Sequence, residues 1–131
     1  MTSYSGQGID LPLSASGDLN SYQYRFVALT SNRKVLGATG ASNPTPFGVL
    51  QNDPRDGEGA TVRVGGLSLI YAEAVTPINV GTPLISGSTG MAKPALVSSS
   101  AVSAVALEAL ASGTGILIEA LIIPFSAPSA S

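Results

Sequence analysis

Apolar residues recur along this chain in short runs broken by glycine or proline, and within several runs they alternate with polar ones. Between Phe47 and Ile123 the runs read FGVL, ATVRVGGLSLIYAEA, INVGTPLISGSTGMAKPAL and GTGILIEALII. A period of two predicts half-buried strands. Strands are therefore expected at 24–29, 34–36, 47–50, 60–64 and 67–74, with Val62 and Val64 on one face and Thr61 and Arg63 on the other. Gly65 and Gly66 predict a bend or bulge between two of them. The stretch 78–93 reads as a β-hairpin with the glycine-flanked tip Gly87-Ser-Thr-Gly90, and 115–123 as a last strand that stops at Pro124. Pro44 and Pro46 exclude a helix from the loop before Phe47. Residues 51–59, QNDPRDGEG, form a turn region in which Asn52 and Asp53 bond back to the local backbone.

Two segments stay ambiguous on pattern alone. Residues 98–112, SSSAVSAVALEALAS, suit a helix by Ala, Leu and Glu content, with serine at the start and Gly113 past the end. A strand over 102–109 paired with the last run is the rival. Residues 1–23 are rich in small polar residues, with only a brief alternation of Ile9, Leu11 and Leu13 around Pro12. This segment is either a disordered tail or an extended arm ordered by lying across a neighbouring subunit. A purely solvated tail has no use for the apolar triplet. The organisation expected is an arm over 1–23, one domain over 24–124 and a flexible tail over 125–131.

Composition sharpens this picture. The 131 residues suffice for one domain with a real core. Only 11% are charged, against about 25% in a typical domain. Ser, Thr, Gly and Ala fill the surface instead, which fits a protein that packs against neighbours over much of its area. There is no Cys, His or Trp; thiolate metal sites, disulfides and the commonest general base are excluded. A net charge of −2 with scattered basic residues argues against nucleic acid as a partner. The longest apolar run near the C-terminus is too short to span a bilayer, so no membrane partner is expected, and no basic stretch followed by an apolar run marks a secretory signal. A soluble protein made in the cytoplasm is the expectation.

Candidate chemistry reduces to a few constellations. Asp53, Asp56 and Glu58 lie in a Gly-rich loop, but their spacing differs from a calcium-binding loop and reads as a solvated turn. Gly87–Gly90 and Gly113-Thr-Gly115 lack the following Lys of a phosphate loop and read as hairpin turns. Glu108 and Glu119 would face each other across the last hairpin, as on an exposed barrel face, rather than as an acid/base pair. No serine has a Ser-x-x-Lys context. No catalytic residue, metal site or cofactor is expected, and the chain is read as a non-enzyme that presents a surface. The contact residues expected are Ile9, Leu11 and Leu13 on the arm together with an aromatic stripe of Tyr22, Tyr24 and Phe26.

From Phe47 onward the order of motifs resembles the phage capsid cement, or head-decoration, proteins of small all-β type. The matching residues are Gly48-Val-Leu50, the turn at Asp56-Gly57, Ala60-Thr-Val-Arg-Val64, Val80-Gly-Thr-Pro-Leu84, Gly90-Met-Ala92, Val105-Ala-Leu-Glu108 and Gly113-Thr-Gly115 followed by 116–122. The resemblance covers about three quarters of the chain, and its weight lies in order and spacing. It implies an all-β fold, a compact β-barrel or β-clip-like domain with an extended N-terminal arm, and a strand rather than a helix at 102–109. It further implies a homotrimer on the outside of an icosahedral head, with the major capsid protein as partner. There the protein would cement neighbouring subunits of the expanded, DNA-filled shell. A receptor- or carbohydrate-binding module of a fibre or cell surface is the rival reading; the low aromatic content, 5% with no Trp, counts against it.

Overall fold

Strands form where the alternating runs lie, and among the described residues no helix forms. The computed structural model describes residues 8–30, 32–40, 46–95 and 102–123. Its nine strands are β1 (Gly8–Ala15), β2 (Phe26–Leu29), β3 (Lys34–Gly37), β4 (Pro46–Leu50), β5 (Gly59–Ala74), β6 (Pro83–Ser86), β7 (Ala92–Pro94), β8 (Ala104–Ala106) and β9 (Gly113–Ile122). The tail expected over 125–131 lies outside the described residues.

The pairings close two rings that share the 16-residue β5. In the first ring β1 pairs with both β3 and β5, and β2 and β4 complete the circuit. In the second, β9 pairs with the other half of β5 from Gly66 to Ala74, and β8, β6 and β7 return to β5 at Ala72↔Ala92. The change of partners falls at the glycine pair. Register jumps from Ile9↔Gly65 to Asp10↔Arg63, which leaves Val64 as the extra residue of a bulge, and Gly66 sits at φ 97°. Only glycine takes that backbone without strain.

Each ring has its own core. The first is filled by Ala15, Leu19, Val27, Val35, Leu50, Ala60 and Val62. The second holds Ile70, Ile78, Leu84, Ile118 and Ile122 among Ala72, Ala92, Ala104, Ala106 and Ala120. A five-stranded ring is narrower than the eight-stranded barrel whose interior side chains just fill. Alanine beside each of the larger residues of the second core is what such a bore can take. This explains why residues 104–106, at the centre of the strand expected over 102–109, form a short strand and not a helix: Ala104 and Ala106 face the bore, and β8 pairs Ala104↔Ile122 through Ala106↔Ala120. Tertiary fit overrides local propensity there.

β2 and β4 form the wall between the two cores. Phe26 and Val49 point into the second, and Val27 and Leu50 into the first. Both faces of these strands are buried, so they read as near-continuous apolar runs rather than alternating ones. Within the segment read as an arm, residues 8–15 run along this chain's own β5, from Gly8↔Gly66 to Ser14↔Gly59. Pro12 is tolerated because β1 meets β3 only at Ser14 and Ala15, so no second strand needs its missing N–H.

On the edge of β5 away from β9, side chains and a turn fill the gap between Gly66 and Ala72. Arg63 Nη1 donates to Leu67 O at 2.7 Å, Ser68 Oγ to Leu69 O at 2.8 Å, and Tyr71 N to Tyr24 O at 2.9 Å. Arg63 is 2% exposed and also grips Asp10 of β1 with two bonds, Nε to Oδ1 at 2.7 Å and Nη2 to Oδ2 at 3.0 Å. One side chain thus pins β1 and fills the first part of the gap in the ladder.

Candidate functional site

The charged and glycine-rich groups are engaged in local structure. Asp56 Oδ1 accepts from Gly17 N at 2.8 Å and Glu58 Oε1 from Arg55 N at 2.8 Å. Asn52 spans its turn as expected, accepting from Thr61 N and donating to Gly59 O. Among the described residues no group of three acidic, His or Cys side chains is placed to hold a metal ion. Gly87–Gly90 is the β6–β7 hairpin turn, with Gly87 N donating to Met91 O at 2.8 Å. Glu108 Oε1 accepts the backbone N–H of Glu119 at 2.7 Å, which secures the approach of the β8–β9 connection.

The six residues expected to make contacts are distributed differently from a single stripe. Ile9 is 62% exposed on β1. Leu11 is half-buried, and Leu13 packs on the first core. Tyr22 also packs on that core, and the Arg25 guanidinium lies 5.4 Å from the centre of its ring and 5.8 Å from that of Tyr71. Tyr24, at φ 64°, is half-buried and bonded by its backbone to Leu50 and Tyr71. Phe26 is fully buried in the second core, so in this fold it has no area to offer a partner. The reason is the double-sided burial of β2: successive residues face opposite directions, Phe26 into the second core and Val27 into the first. Tyr71, rather than Phe26, completes the aromatic group around Arg25.

An apolar surface that sequence reasoning missed lies on the outer face of β5, β9 and β8. On β5 the even-numbered Ser68, Ile70 and Ala72 point into the second ring, so Leu67, Leu69 and Tyr71 point out. Register sets Leu67 opposite Leu121, Leu69 opposite Glu119 and Tyr71 opposite Leu117, and Val105 of β8 opposite Leu121. Residues opposed across strands share a face. Leu117 and Leu121 are 39% and 43% exposed, and Ile9 of β1, opposite Gly65, is 62% exposed. A signal for it exists in the sequence. In GILIEALII both parities are apolar, whereas a sheet with one wet face alternates. These outward-facing apolar residues, with Glu119 among them, make this face a candidate contact surface.

Exposed apolar residues and core residues separate experimentally. Ile9→Ser and Leu121→Ser are expected to leave the unfolding free energy of the chain within about 0.5 kcal/mol, as for ordinary surface positions. Guanidinium titration by circular dichroism checks this, and a loss of several kcal/mol would place these side chains in the core.

No family model matches the sequence, and no curated protein does. Solved structures do match. The fold is similar to that of the N-terminal base of the head fibre protein gp8.5 of bacteriophage phi29, with a TM-score of 0.63 over 87% of this chain and 92% of that one, at 23% identity.

Proposed function

We propose that this chain is a structural protein of a phage virion, carried on the outside of the head as a homotrimer. There it contacts the major capsid protein and holds neighbouring shell subunits together. The observation that carries this reading is the fold shared with a head fibre base over nearly the full length of both chains. Two physical features support it. The apolar outer face of β5, β9 and β8 requires a cover, and a low charge density makes close packing against neighbours cheap in desolvation. A load-bearing attachment on a shell also gains from repetition, since many symmetric sites turn modest single contacts into firm attachment. The protein is then non-enzymatic, and its work is mechanical.

The test is to add the purified chain to expanded, undecorated heads of the phage that encodes it and to heat them. Binding should saturate, and DNA release should shift upward by several degrees, because a ligand that binds only the intact shell stabilises it by mass action. Saturable binding with no shift would leave an attached protein that does not cement. No binding would remove the virion reading.

A further inference from the structure

The second ring repeats the first. In each, the first strand pairs with the third in parallel and with the last antiparallel, the second pairs with the third and fourth, and the fourth with the last. β5 is the last strand of one ring and the first of the other. The registers agree as well. Ala15↔Val35 answers to Ala72↔Ala92, 57 residues on in both members (15 to 72, 35 to 92), and Val27↔Gly37 answers to Leu84↔Pro94 by the same step. Phe26↔Val49 answers to Pro83↔Val105, and Asp10↔Arg63 to Leu67↔Leu121. The turns follow: Tyr24 at φ 64° donates its N–H to Leu50 O where Gly81 at φ 91° donates to Ala106 O. Among these pairs only Ala15/Ala72 and Val49/Val105 keep the residue type, so the repeat is written in the pairing and hidden in the sequence.

Each face of one ring therefore has a counterpart on the other. Phe26, Val49 and Arg63 form a row across β2, β4 and β5 of the first ring, and the second ring covers that row. Phe26 and Val49 lie in the second core, and Arg63, 2% exposed, bonds Leu67 O. The counterpart row, Pro83, Val105 and Leu121 across β6, β8 and β9, is bare. Pro83 is exposed, Val105 half-buried and Leu121 43% exposed. The covering side of the second ring lies between β5 and β7, where Tyr71 N donates to Tyr24 O and Phe26 N to Gly90 O. Its counterpart on the first ring lies between β1 and β3, beside Ile9 and the exposed Pro12. The chain thus makes this contact once and carries an unused half of it on each ring.

We infer that a second copy of this chain docks head to tail through these unused halves, the Pro83/Val105/Leu121 row of one copy seating on the β1 side of the next at Ile9 and Pro12. The inference rests on the homo-oligomer of the proposed function and names its surfaces. Stacked repeats bury each unit's face against the next, and a terminal face left in water is ordinarily polar; here it is apolar. Sizes match a shallower form of the same contact. Pro83 is smaller than Phe26, and the first ring is fuller, with Val35, Leu50 and Val62 where the second has Ala92, Ala106 and Ala120. The backbone bonds of the contact within the chain are not repeated. Pro83 has no N–H, Ser14 N already donates to Arg33 O, and Arg33 Nη2 to Pro12 O. The contact between copies is apolar and draws on no free charge. Unlike patches joined head to tail generate a closed ring when the rotation closes, and a trimer is such a ring.

The experiment reads the oligomer by light scattering on a sizing column over a dilution series. Wild type is expected as a trimer. Leu121→Lys and, separately, Ile9→Lys should each raise the concentration of half-dissociation on the order of 10-fold or more, as for a central apolar contact residue. Val75→Lys is the control. Val75 is an aliphatic of the second ring, 59% exposed and outside the row, and its replacement should leave the trimer at the wild-type concentration. Circular dichroism confirms that each variant is folded, and Ile9→Lys, at a 62% exposed position, keeps the test decisive if Leu121→Lys disturbs β9. A two-fold dimer, a trimer indifferent to both changes, or equal weakening by Val75→Lys would overturn the interface. Head binding by wild type is measured in parallel. A monomer that still binds heads would overturn this interface and leave the virion role standing, whereas a trimer with the expected pattern that ignores heads would do the reverse.

Discussion

Asp10→Ala is expected to lower the unfolding free energy by about 3 kcal/mol, within the range seen when one partner of a buried ion pair is removed. Asp10 itself is about one third exposed, with a side-chain accessibility of 34% against 3% for Arg63. The loss therefore arises chiefly at Arg63. Without the carboxylate its guanidinium is left charged in a nearly dry place, with the Leu67 carbonyl as its remaining acceptor at 2.7 Å. Replacing both members at once separates the causes. Asp10→Leu with Arg63→Met removes the charge together with its partner and leaves only the Leu67 carbonyl without its donor. That double variant should recover all but about 1 kcal/mol, the net value of one hydrogen bond. Guanidinium unfolding followed by circular dichroism checks both numbers. A double variant as unstable as Asp10→Ala would show that the pair is not what holds β1 to β5.

Gly48→Val is expected to cost about 3 kcal/mol or more, at the upper end of overpacking in a core. A side chain at this position meets two obstacles. Its Cβ would lie 2.5 Å from the Arg63 carbonyl oxygen and 2.7 Å from Val62 Cγ1. The first is backbone held in the β4–β5 ladder by the neighbouring pair Val49↔Arg63, and the second is packed in the first core. Neither can retreat without opening the wall between the rings. Gly59→Ala is the matched control, because nothing lies within 4 Å of its Cβ position and its φ is not in the left-handed region. It should be neutral or gain a few tenths of a kcal/mol through the unfolded chain, roughly. Equal destabilisation by the two would contradict the close approach of β4 and β5.

Much of this architecture is legible in the sequence because strand formation is written locally. The alternation in 60–64 and 67–74, the glycine pair between them and the glycine-flanked tip at 87–90 each mark their element without help from distant residues. Less was legible where distant pairing decides. Nothing local says that Ile9, Leu11 and Leu13 lie along β5 of the same chain rather than on a neighbour, since an apolar triplet in an extended segment satisfies either edge. Nor does FVAL announce two cores. A strand buried on both faces looks the same whether it sits inside one barrel or between two, and so Phe26 reads as an exposed aromatic until β2 is seen as a wall. The stretch 102–109 is the instructive case: its alanines favour helix in isolation, and a narrow bore selects them for their size instead.

The apolar outer face follows the same division. Ile9 was visible as an apolar residue in a polar segment. The pairing of Leu67 with Leu121 and Tyr71 with Leu117 was not, because it depends on a register set across some fifty residues of chain, from Leu67 to Leu121. What the sequence did carry was the excess of apolar residues on both parities of the last strand. That excess has no use in a sheet with one face in water, and it is the local trace of the apolar outer face.

The most direct test of the account is electron cryo-microscopy of expanded heads incubated with the purified chain. The account predicts added density on the outside of the shell at symmetry-related positions. Each position should hold three copies of a two-ring β domain seated against more than one major capsid protein subunit. Heads that remain bare at saturating protein, or density confined to a single subunit with no neighbour bridged, would contradict it.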